Sequence, residues 1–354
     1  MIISRTPYRI SFFGGGTDYP AWFEGHGGAV LSTAINKYCY LTVRHLPPFF
    51  AHRSRIVWSE IELVKDIPEI HHPLVRECLR YVGIHEGVEI HHDGDLPARS
   101  GIGSSSSFAV GLLNALYALK GRMASAEQLA SNAIYVEQDM VGDCVGCQDQ
   151  VAAAFGGFNR IDFMPGGSFR VMPIVANGRV KLLEKHLMLV FTGLSRLASE
   201  IAKEQVKLTP QRETELSIMQ DMVNLAMEQL VGDGDILEFG RLLNEAWKLK
   251  KSLSPHISTP GIDQIYDAAL GAGALGGKLI GAGGGGFLLL FVPPEKRPFV
   301  RLALSGFLEV PFSFEPEGSR IVYYKEEADS RPIDTSYLRA VSERPFATAA
   351  STPY

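Results

Sequence analysis

Residues 96–107, which read LPARSGIGSSSS, constrain this chain more than any other segment. Gly101 and Gly103 lack a Cβ atom, so the backbone can bend sharply there and approach a ligand closely. Four serines follow at 104–107, and the apolar residues of 108–119 then recur with helical spacing. The loop therefore leads into a helix N-terminus, where unpaired amides and the helix dipole attract anions. The segment predicts a loop that holds a triphosphate and, through its serine hydroxyls, Mg²⁺.

Other glycine-rich loops fit this segment less well. It lacks the G-x-x-x-x-G-K-S/T pattern of a Walker A loop, and the dinucleotide pattern G-x-G-x-x-G fails at Ser106. A flexible Gly/Ser linker is the remaining alternative. A strand pattern before the loop and an apolar helix pattern after it argue against a linker.

Length and composition limit the class of protein. A chain of 354 residues suits two domains, and 46% hydrophobic with 21% charged residues is typical of a globular protein. The net charge of −5 argues against general nucleic-acid binding. No apolar run has the length of a membrane span, and no signal-peptide pattern opens the sequence. We therefore expect a cytoplasmic protein that binds neither nucleic acid nor membrane.

Strand and helix patterns follow one another without strict alternation, which indicates an α+β fold. Residues 2–13 have the pattern of a strand that Pro7 is expected to break. A capping box at Ser125 and Gln128 predicts a helix through about Met140. Residues 212–253 predict a long helical region with a break at Gly232-Asp233-Gly234.

The same patterns suggest a domain division near residues 165–185. We predict an N-terminal domain over 1–175, which carries the phosphate loop at 97–107, and a C-terminal domain over 176–327. The Pro- and Ser-rich residues 328–354 are expected to form a tail.

Three further patterns could carry chemistry, and each has a plain structural alternative. Arg9 precedes a glycine triplet and Asp18, which is typical of a functional loop after a strand, but also of a simple turn. Glu137 and Asp149 could act as a metal ligand and an acid–base or orienting group, or be solvated surface acids. The glycines of 281–286 let a backbone pass close to another backbone or a phosphate, or form a tight hairpin.

The cysteines and paired histidines point to no metal or redox site. Cys144 and Cys147 form a C-x-x-C pattern without a second ligand pair or a thioredoxin-like context, so we expect reduced thiols. The neighbouring histidines at 71–72 and 91–92 point in different directions on a helix or a strand, and we interpret them as structural.

Three segments, in this order, resemble the motifs of the GHMP kinase superfamily. TPYRI at 6–10 resembles its N-terminal motif, PARSGIGSSS at 97–106 its phosphate-binding motif, and KLIGAGGGGF at 278–287 its C-terminal motif. The resemblance covers about residues 1–325. It implies a two-domain α+β fold with ATP and Mg²⁺ in a cleft between the domains.

The resemblance also implies roles for individual residues. Ser105 and Glu137 would hold Mg²⁺, Asp149 would orient or deprotonate the acceptor hydroxyl, and Arg9 would neutralise the transferring phosphoryl group. The nucleotide would contact the loop residues Arg99, Gly101, Gly103, Ser104, Ser105 and Ser106.

The acceptor is expected at a second group of residues. Residues 9–19 resemble the sugar-binding segment of galactokinases, with Thr17 and Asp18 retained and glycine at positions 15 and 16 in place of Glu and His. Losing the carboxylate opens space, and glycine amides can bind a phosphate. The pattern resembles that of bacterial heptose 7-phosphate kinases, which phosphorylate the anomeric C1 hydroxyl.

The acceptor set is accordingly Gly15, Gly16, Thr17, Asp18, Gly283 and Arg196. Arg196 is a candidate clamp for the sugar phosphate, with Lys203 as a second. Lys203 equally fits a solvated helix charge.

Other readings remain open at this point. Another sugar kinase of the superfamily, of the fucokinase or galactokinase type, fits the motifs, and a non-catalytic sugar sensor is an alternative of another class. A homodimer also remains open.

Overall fold

Within the residues that the structure describes, the strands form two separate sheets. The computed structural model describes residues 1–175, 178–193 and 198–325. Its strands are β1 (Ile2–Phe13), β2 (Gly28–His45), β3 (Ser54–Val57), β4 (Ile61–Val64), β5 (Val88–Gly94), β6 (Phe158–Phe163), β7 (Phe169–Pro173), β8 (Leu187–Phe191), β9 (Gly276–Leu279), β10 (Phe287–Phe291), β11 (Leu308–Glu309) and β12 (Arg320–Tyr324). Its helices are α1 (Pro20–His26), α2 (Pro73–Val82), α3 (Ser104–Leu119), α4 (Ala126–Tyr135), α5 (Gln148–Phe155), α6 (Arg179–Lys185), α7 (Ala198–Leu208), α8 (Glu213–Val231), α9 (Leu237–Leu253), α10 (Pro260–Gly271) and α11 (Arg297–Ala303).

The larger sheet has the order β12–β1–β2–β5–β3–β4, and β6 and β7 continue from β2. At 18 residues β2 is long enough to pair with β6 through its first half and with β5 through its second. Only β3 and β5 pair in parallel, and the other pairs of this sheet are antiparallel. A mostly antiparallel sheet with helices packed against it confirms the α+β prediction.

α3 lies against β1 and β2 and carries the phosphate loop at its N-terminus. Its buried residues surround the helix instead of forming one stripe, as expected for a helix covered on all sides. Gly111 allows close approach to β1, because a Cβ there would lie 2.6 Å from Thr6 Oγ1. Ser4 Oγ also donates to the Gly111 carbonyl at 2.9 Å. The loop is therefore fixed to the middle of the sheet.

The expected break at Pro7 was wrong. β1 runs continuously from Ile2 to Phe13, and its pairing register with β2 shifts between Pro7 and Tyr8. A bulge of this kind accommodates a residue that has no amide hydrogen to donate to the ladder. The Pro7 carbonyl meanwhile accepts a hydrogen bond from Ser107 Oγ at 2.9 Å, which ties β1 to α3.

The smaller sheet has the antiparallel order β11–β8–β10–β9. β10 is buried along its whole length, and α9 packs on β9 at the edge. The predicted interruption at 232–234 is confirmed, since α8 ends at Val231 and α9 begins at Leu237. The segment 281–286 joins β9 to β10 as a hairpin, one of the two geometries expected.

The described C-terminal segment returns to the larger sheet. β12 pairs with β1, and Ser319 N donates to the Ala153 carbonyl at 3.0 Å. Residues 1–175 therefore supply β1–β7, residues 178–309 supply the smaller sheet, and β12 closes the first. The division into 1–175 and 176–327 stays a prediction, and the tail at 328–354 lies outside the described residues. Among the described helices, none is both long and apolar enough to cross a bilayer.

Candidate active site

The phosphate loop depends on two glycines in left-handed conformations. Gly101 has φ +85° and Gly103 has φ +74°, and Gly103 is the residue immediately before α3. A side chain at Gly103 would also crowd the site, because its Cβ would lie 3.3 Å from both Arg9 Cγ and Asp149 Oδ2. The loop thus ends where the first amides of α3 have no partner within the helix, as an anion site requires.

The four serines occupy the first turn of α3 and have different contacts. Ser104 Oγ accepts from the Arg99 amide at 3.2 Å and so closes the loop on itself. Ser107 is fully buried and holds β1 through Pro7. Ser105 is exposed, and its Oγ donates to Glu137 Oε1 at 2.8 Å.

Glu137 lies on a π-helical turn, residues Val136–Val141, that continues α4. The predicted capping box is present, but α4 itself ends at Tyr135, before the predicted Met140. A π-helical turn re-aims side chains and is frequent at functional sites. Glu137 is fully buried, and that burial raises its pKa to about 7 against the opposing hydrogen bonds of Ser105, Ser106 and Gln150.

The donor set of Ser105 and Glu137 fits Mg²⁺. Hydroxyl and carboxylate oxygens are ligands that this ion takes, and it usually completes its shell with nucleotide phosphates and water. Gln150 Nε2 donates to the second Glu137 oxygen at 2.6 Å and orients the carboxylate. The described residues contain no cluster of three acidic, histidine or cysteine side chains that could hold an ion unaided.

Arg9 and Asp149 form a two-pronged ion pair beside the loop. Arg9 Nε and Nη2 each lie 2.6 Å from one oxygen of Asp149, and Arg9 Nη1 donates to the Gly101 carbonyl at 2.6 Å. The Arg9 side chain is 4% exposed, whereas that of Asp149 is 23% exposed. Such bidentate pairs fix both side chains. Asp149 is thus held in place while remaining open to a ligand.

Asp18 lies next to this pair and is buried by the segment before α5. Its Oδ1 accepts from the Gly16 amide at 2.9 Å and its Oδ2 from the Gln148 amide at 3.4 Å. Gly146 must be glycine here, because a Cβ would lie 1.9 Å from Asp18 Oδ2. Burial raises the pKa of Asp18, the Asp149 carboxylate adds to that shift, and the two amides oppose it.

The glycine triplet before Asp18 contains two kinds of position. At Gly15 a Cβ would meet only ordinary contacts, Ser11 Oγ at 3.7 Å and Gln148 Nε2 at 3.8 Å. Gly16 has φ +110° and its Cβ would lie 2.7 Å from Gln205 Nε2, so a side chain of α7 fills the space that glycine leaves. A Cβ therefore fits without a clash at Gly15 but not at Gly16.

Thr17 supports the same loop from inside. It is fully buried, and its Oγ1 lies 2.8 Å from the Gly14 carbonyl and 3.0 Å from the Ala29 carbonyl. Its hydroxyl is engaged with the main chain and so fixes the shape of the loop, while the part of Thr17 in acceptor binding stays a prediction.

The glycine segment 281–286 packs on the phosphate loop. A Cβ on Gly281 would lie 2.4 Å from Gly101 Cα, and one on Gly286 would lie 2.1 Å from the Ser100 carbonyl oxygen. Phe287 N also donates to that carbonyl at 3.2 Å. The hairpin of the smaller sheet and the loop of the larger sheet thus touch backbone to backbone, which is why glycines are needed on both sides.

The remaining predicted acceptor residues differ in how the structure places them. Gly283 packs against the backbone of Ile257, and Gly284 N donates to the Ile257 carbonyl at 2.9 Å. Lys203 is exposed on α7, and its charge lowers the pKa of Cys144, which burial raises. Arg196 lies outside the described residues. The roles of these three residues toward a substrate stay predictions.

Sequence reasoning missed two buried lysines at the site. Lys250 on α9 donates from Nζ to the Gly281 carbonyl, and Lys278 on β9 donates from Nζ to the Phe12 carbonyl at 2.9 Å. Burial lowers the pKa of both ammonium groups. The sequence of α9 indicates that Lys250 is buried. Trp247 follows Leu243 by four residues and Lys250 follows Trp247 by three, so all three lie on one face, which is the buried one.

Comparison with known families identifies the fold. Two family models match the chain, GHMP kinases N terminal domain over residues 70–157 and GHMP kinases C terminal over residues 219–309. The chain belongs to the GHMP kinase superfamily. The protein is therefore a sugar kinase of this superfamily, whose phosphoryl donor is ATP.

Two curated GHMP kinase relatives resemble most of the chain. The D-glycero-alpha-D-manno-heptose 7-phosphate kinase of Campylobacter jejuni is 28% identical over 345 residues, which is 90% of this chain and 97% of the relative. The bifunctional fucokinase/GDP-fucose pyrophosphorylase of Arabidopsis thaliana is 29% identical over 86% of this chain. The chain spans only 31% of that longer relative.

A solved GHMP kinase structure has the same architecture. The crystal structure described as a D-glycero-D-manno-heptose 1-phosphate kinase of Bacteroides thetaiotaomicron superposes with a TM-score of 0.73. The two proteins are 26% identical, and the alignment covers 92% of this chain and all of the other.

Proposed function

We propose that this GHMP kinase transfers the γ-phosphoryl group of ATP to the anomeric C1 hydroxyl of D-glycero-D-manno-heptose 7-phosphate. The product is the 1,7-bisphosphate, an intermediate for nucleotide-activated heptose. The observation that carries the proposal is the two-pronged Arg9–Asp149 pair, which Arg9 Nη1 ties to the Gly101 carbonyl of the phosphate loop. The Campylobacter relative is named as a heptose 7-phosphate kinase, and the alignment covers 97% of its length, which supports this choice of acceptor.

The chemistry asks chiefly for positioning and charge neutralisation. The acceptor C1 oxygen bonds to the γ-phosphorus while the bond from that phosphorus to the β–γ bridging oxygen breaks, and ADP leaves. Asp149 accepts the hydroxyl proton, since both its oxygens are held by Arg9 and yet the side chain is partly exposed. Arg9 sets the carboxylate in place and lends positive charge to the transferring group.

The nucleotide end is assigned to the loop and the first turn of α3. Amides after Gly101 and at the start of α3 would bind phosphate oxygens. Ser105 and Glu137 would hold Mg²⁺, which when bound neutralises phosphate charge. Gln150 keeps Glu137 aimed at Ser105.

The acceptor end is assigned to the loop that contains Gly15 and Asp18. Asp18 is fixed by two amides and would accept hydrogen bonds from sugar hydroxyls. Position 15 carries glycine where galactokinases carry Glu, and the absence of that side chain supports an acceptor longer than a hexose. Lys203, near Cys144 in the segment that covers Asp18, and Arg196 are the proposed partners of the distal phosphate.

The proposal is tested by supplying the purified enzyme and ATP with different acceptors. We expect ADP release with heptose 7-phosphate, and in ³¹P spectra a second phosphate ester at C1 beside the retained 7-phosphate. Unphosphorylated heptose, galactose and heptose 1-phosphate serve as comparison acceptors. Turnover confined to unphosphorylated sugars, or a new ester at another carbon, would contradict the assignment.

L-Fucose is the second candidate acceptor. It is favoured by the Arabidopsis relative and by a Bacteroides fragilis relative named as an L-fucokinase, 26% identical over 85% of this chain. The same assay decides between them, because fucose carries no phosphate and leaves the position beside Gly15 empty. A higher kcat/KM for fucose than for heptose 7-phosphate would establish the fucokinase alternative.

A further inference from the structure

Lys250 is a buried cation at the junction of the two sheets. It is 5% exposed, and its Nζ donates to the carbonyl of Gly281, the glycine that abuts Gly101 of the phosphate loop. The ammonium is therefore adjacent to the loop, although its helix, α9, belongs to the C-terminal half of the chain. Neither the motif resemblance nor the family models draw attention to it.

No carboxylate of the residues that the structure describes forms an ion pair with Lys250. Burying an unpaired charge costs free energy, and a well-packed apolar side chain would avoid that cost. An ammonium has three donors, and the Gly281 carbonyl takes one. The remaining donors suit an anion that arrives with the substrates.

The charges around Lys250 indicate which anion that is. After burial, the strongest influences on its charge come from Arg9, which disfavours protonation, and from Asp18 and Asp149, which favour it. Arg9 and Asp149 mark the reacting end of the site. Lys250 is connected to this end through Gly281, which abuts Gly101, and the Gly101 carbonyl accepts from Arg9 Nη1 at 2.6 Å.

We propose that Lys250 is a further catalytic residue whose ammonium binds the phosphoryl group in transit between ATP and the acceptor oxygen. The inference rests on the proposed phosphoryl-transfer site. Lys250 stays protonated throughout and donates hydrogen bonds to the equatorial oxygens, while the acceptor proton goes to Asp149 and the electron pair of the broken P–O bond leaves with ADP. Arg9 and Lys250 would then place a cation from each half of the chain on the same group.

This role predicts a pH dependence with a definite sign. Burial lowers the pKa of Lys250 to about 8, with Arg9 acting in the same direction and Asp18 and Asp149 against it. The ammonium is charged below that pH and is lost as the pH rises through it. We therefore expect kcat/KM to fall above pH about 8 in the wild type.

The experiment compares Lys250→Met, which keeps the length without charge, with Lys250→Arg, which keeps the charge at all accessible pH values. We expect the Met variant to lose about 10²-fold in kcat with unchanged affinity for a non-hydrolysable ATP analogue. In the Arg variant the alkaline fall of kcat/KM should disappear. Lys248→Met is the matched control, since Lys248 is exposed on the same helix and pairs with Glu245 at 2.7 Å.

Two features keep the outcome separate from the acceptor assignment. The kinetics use whichever sugar the wild type phosphorylates. ADP with aluminium fluoride mimics the phosphoryl group in transit, and its binding needs no acceptor. Its affinity should weaken about tenfold or more in Lys250→Met and stay unchanged in Lys248→Met. Wild-type affinity for this mimic in the Met variant would overturn the proposal. The proposal would also be overturned if Lys250→Met and Lys250→Arg lost ATP-analogue affinity to the same extent and melting temperature to the same extent. Such losses would indicate that Lys250 only holds Gly281.

Discussion

Asp149 is held by Arg9 at two oxygens and is still partly exposed, and this combination supports its proposed role as the base. Asp149→Asn keeps the shape and one acceptor oxygen but removes the base. We expect kcat to fall about 10²-fold or more, in the range of a lost general base, with affinity for an ATP analogue within about threefold of wild type. Steady-state kinetics and calorimetry measure the two quantities.

Asp221→Asn, at an exposed position of α8, is the control for that change and should behave as wild type. Equal turnover in the Asp149→Asn enzyme would remove Asp149 from the mechanism. A collapse of nucleotide affinity would instead show that the Arg9–Asp149 pair shapes the loop.

Gly15 accepts a Cβ without a clash, whereas its neighbour Gly16 does not. The carboxylate of Gly15→Glu would repel an acceptor phosphate. We expect kcat/KM for the phosphorylated acceptor to fall about tenfold more than for the unphosphorylated sugar, with Gly15→Gln as the neutral control. If kcat/KM falls equally for both acceptors, the distal phosphate is bound elsewhere.

The individual residues also show what sequence alone can reach. Arg9 and Ser105 lie within recognisable motifs, and the structure brings Glu137 and Asp149 to them at the loop. Lys250 lies among other lysines and apolar residues, and although Lys278 opens the C-terminal motif, only the packing of α9 and β9 shows that both lysines are buried. Burial of a charge depends on tertiary contacts that no local pattern specifies.

At the level of elements, the contact between the β9–β10 hairpin and the phosphate loop leaves no space for a side chain. Gly281→Ala would place a Cβ 2.4 Å from Gly101 Cα at a φ of +81°. We expect the KM for ATP to rise about tenfold and the free energy of unfolding to fall by about 1–3 kcal/mol, because the loop must shift and the backbone is strained.

Gly271→Ala is the matched control within the same half of the chain. It lies in α10 with nothing within 4 Å of its Cβ, so its effect on KM and stability should be small. Wild-type nucleotide kinetics in the Gly281→Ala enzyme would mean that the loop keeps its shape without the hairpin.

The elements were predictable to different degrees for physical reasons. Strong local signals gave the capping box at Ser125, the break before α9 and the hairpin at 281–286. The continuous β1 and the π-helical turn that aims Glu137 were missed. Both are set by partners distant in sequence: the pairing of β1 with β2, and the bonds from Ser105 and Gln150.

At the scale of the whole molecule, the first sheet needs a strand from the far end of the described chain. Pairing of Ile2 with Tyr324 and the bond from Gly157 N to the Glu315 carbonyl at 2.8 Å attach residues 313–325 to it. A chain ending at Val310 should melt about 10 °C or more below one ending at Lys325, because several buried hydrogen bonds are lost.

Thermal denaturation of the two truncated proteins, read by circular dichroism, measures that difference. The protein ending at Lys325 keeps β12 and serves as the reference. Equal melting temperatures would show that the return strand contributes little and that the larger sheet is complete without it.

The glycine-to-glycine contact at positions 101 and 281 has a consequence for engineering. The two glycines meet through main-chain atoms, and the side chains that bond to their carbonyls, Arg9 and Lys250, lie outside the glycine triplet and Asp18 of the acceptor loop. The acceptor loops can therefore be redesigned for new sugars while the phosphate loop keeps its shape. This separation makes the fold suitable for engineering enzymes that make unnatural sugar phosphates.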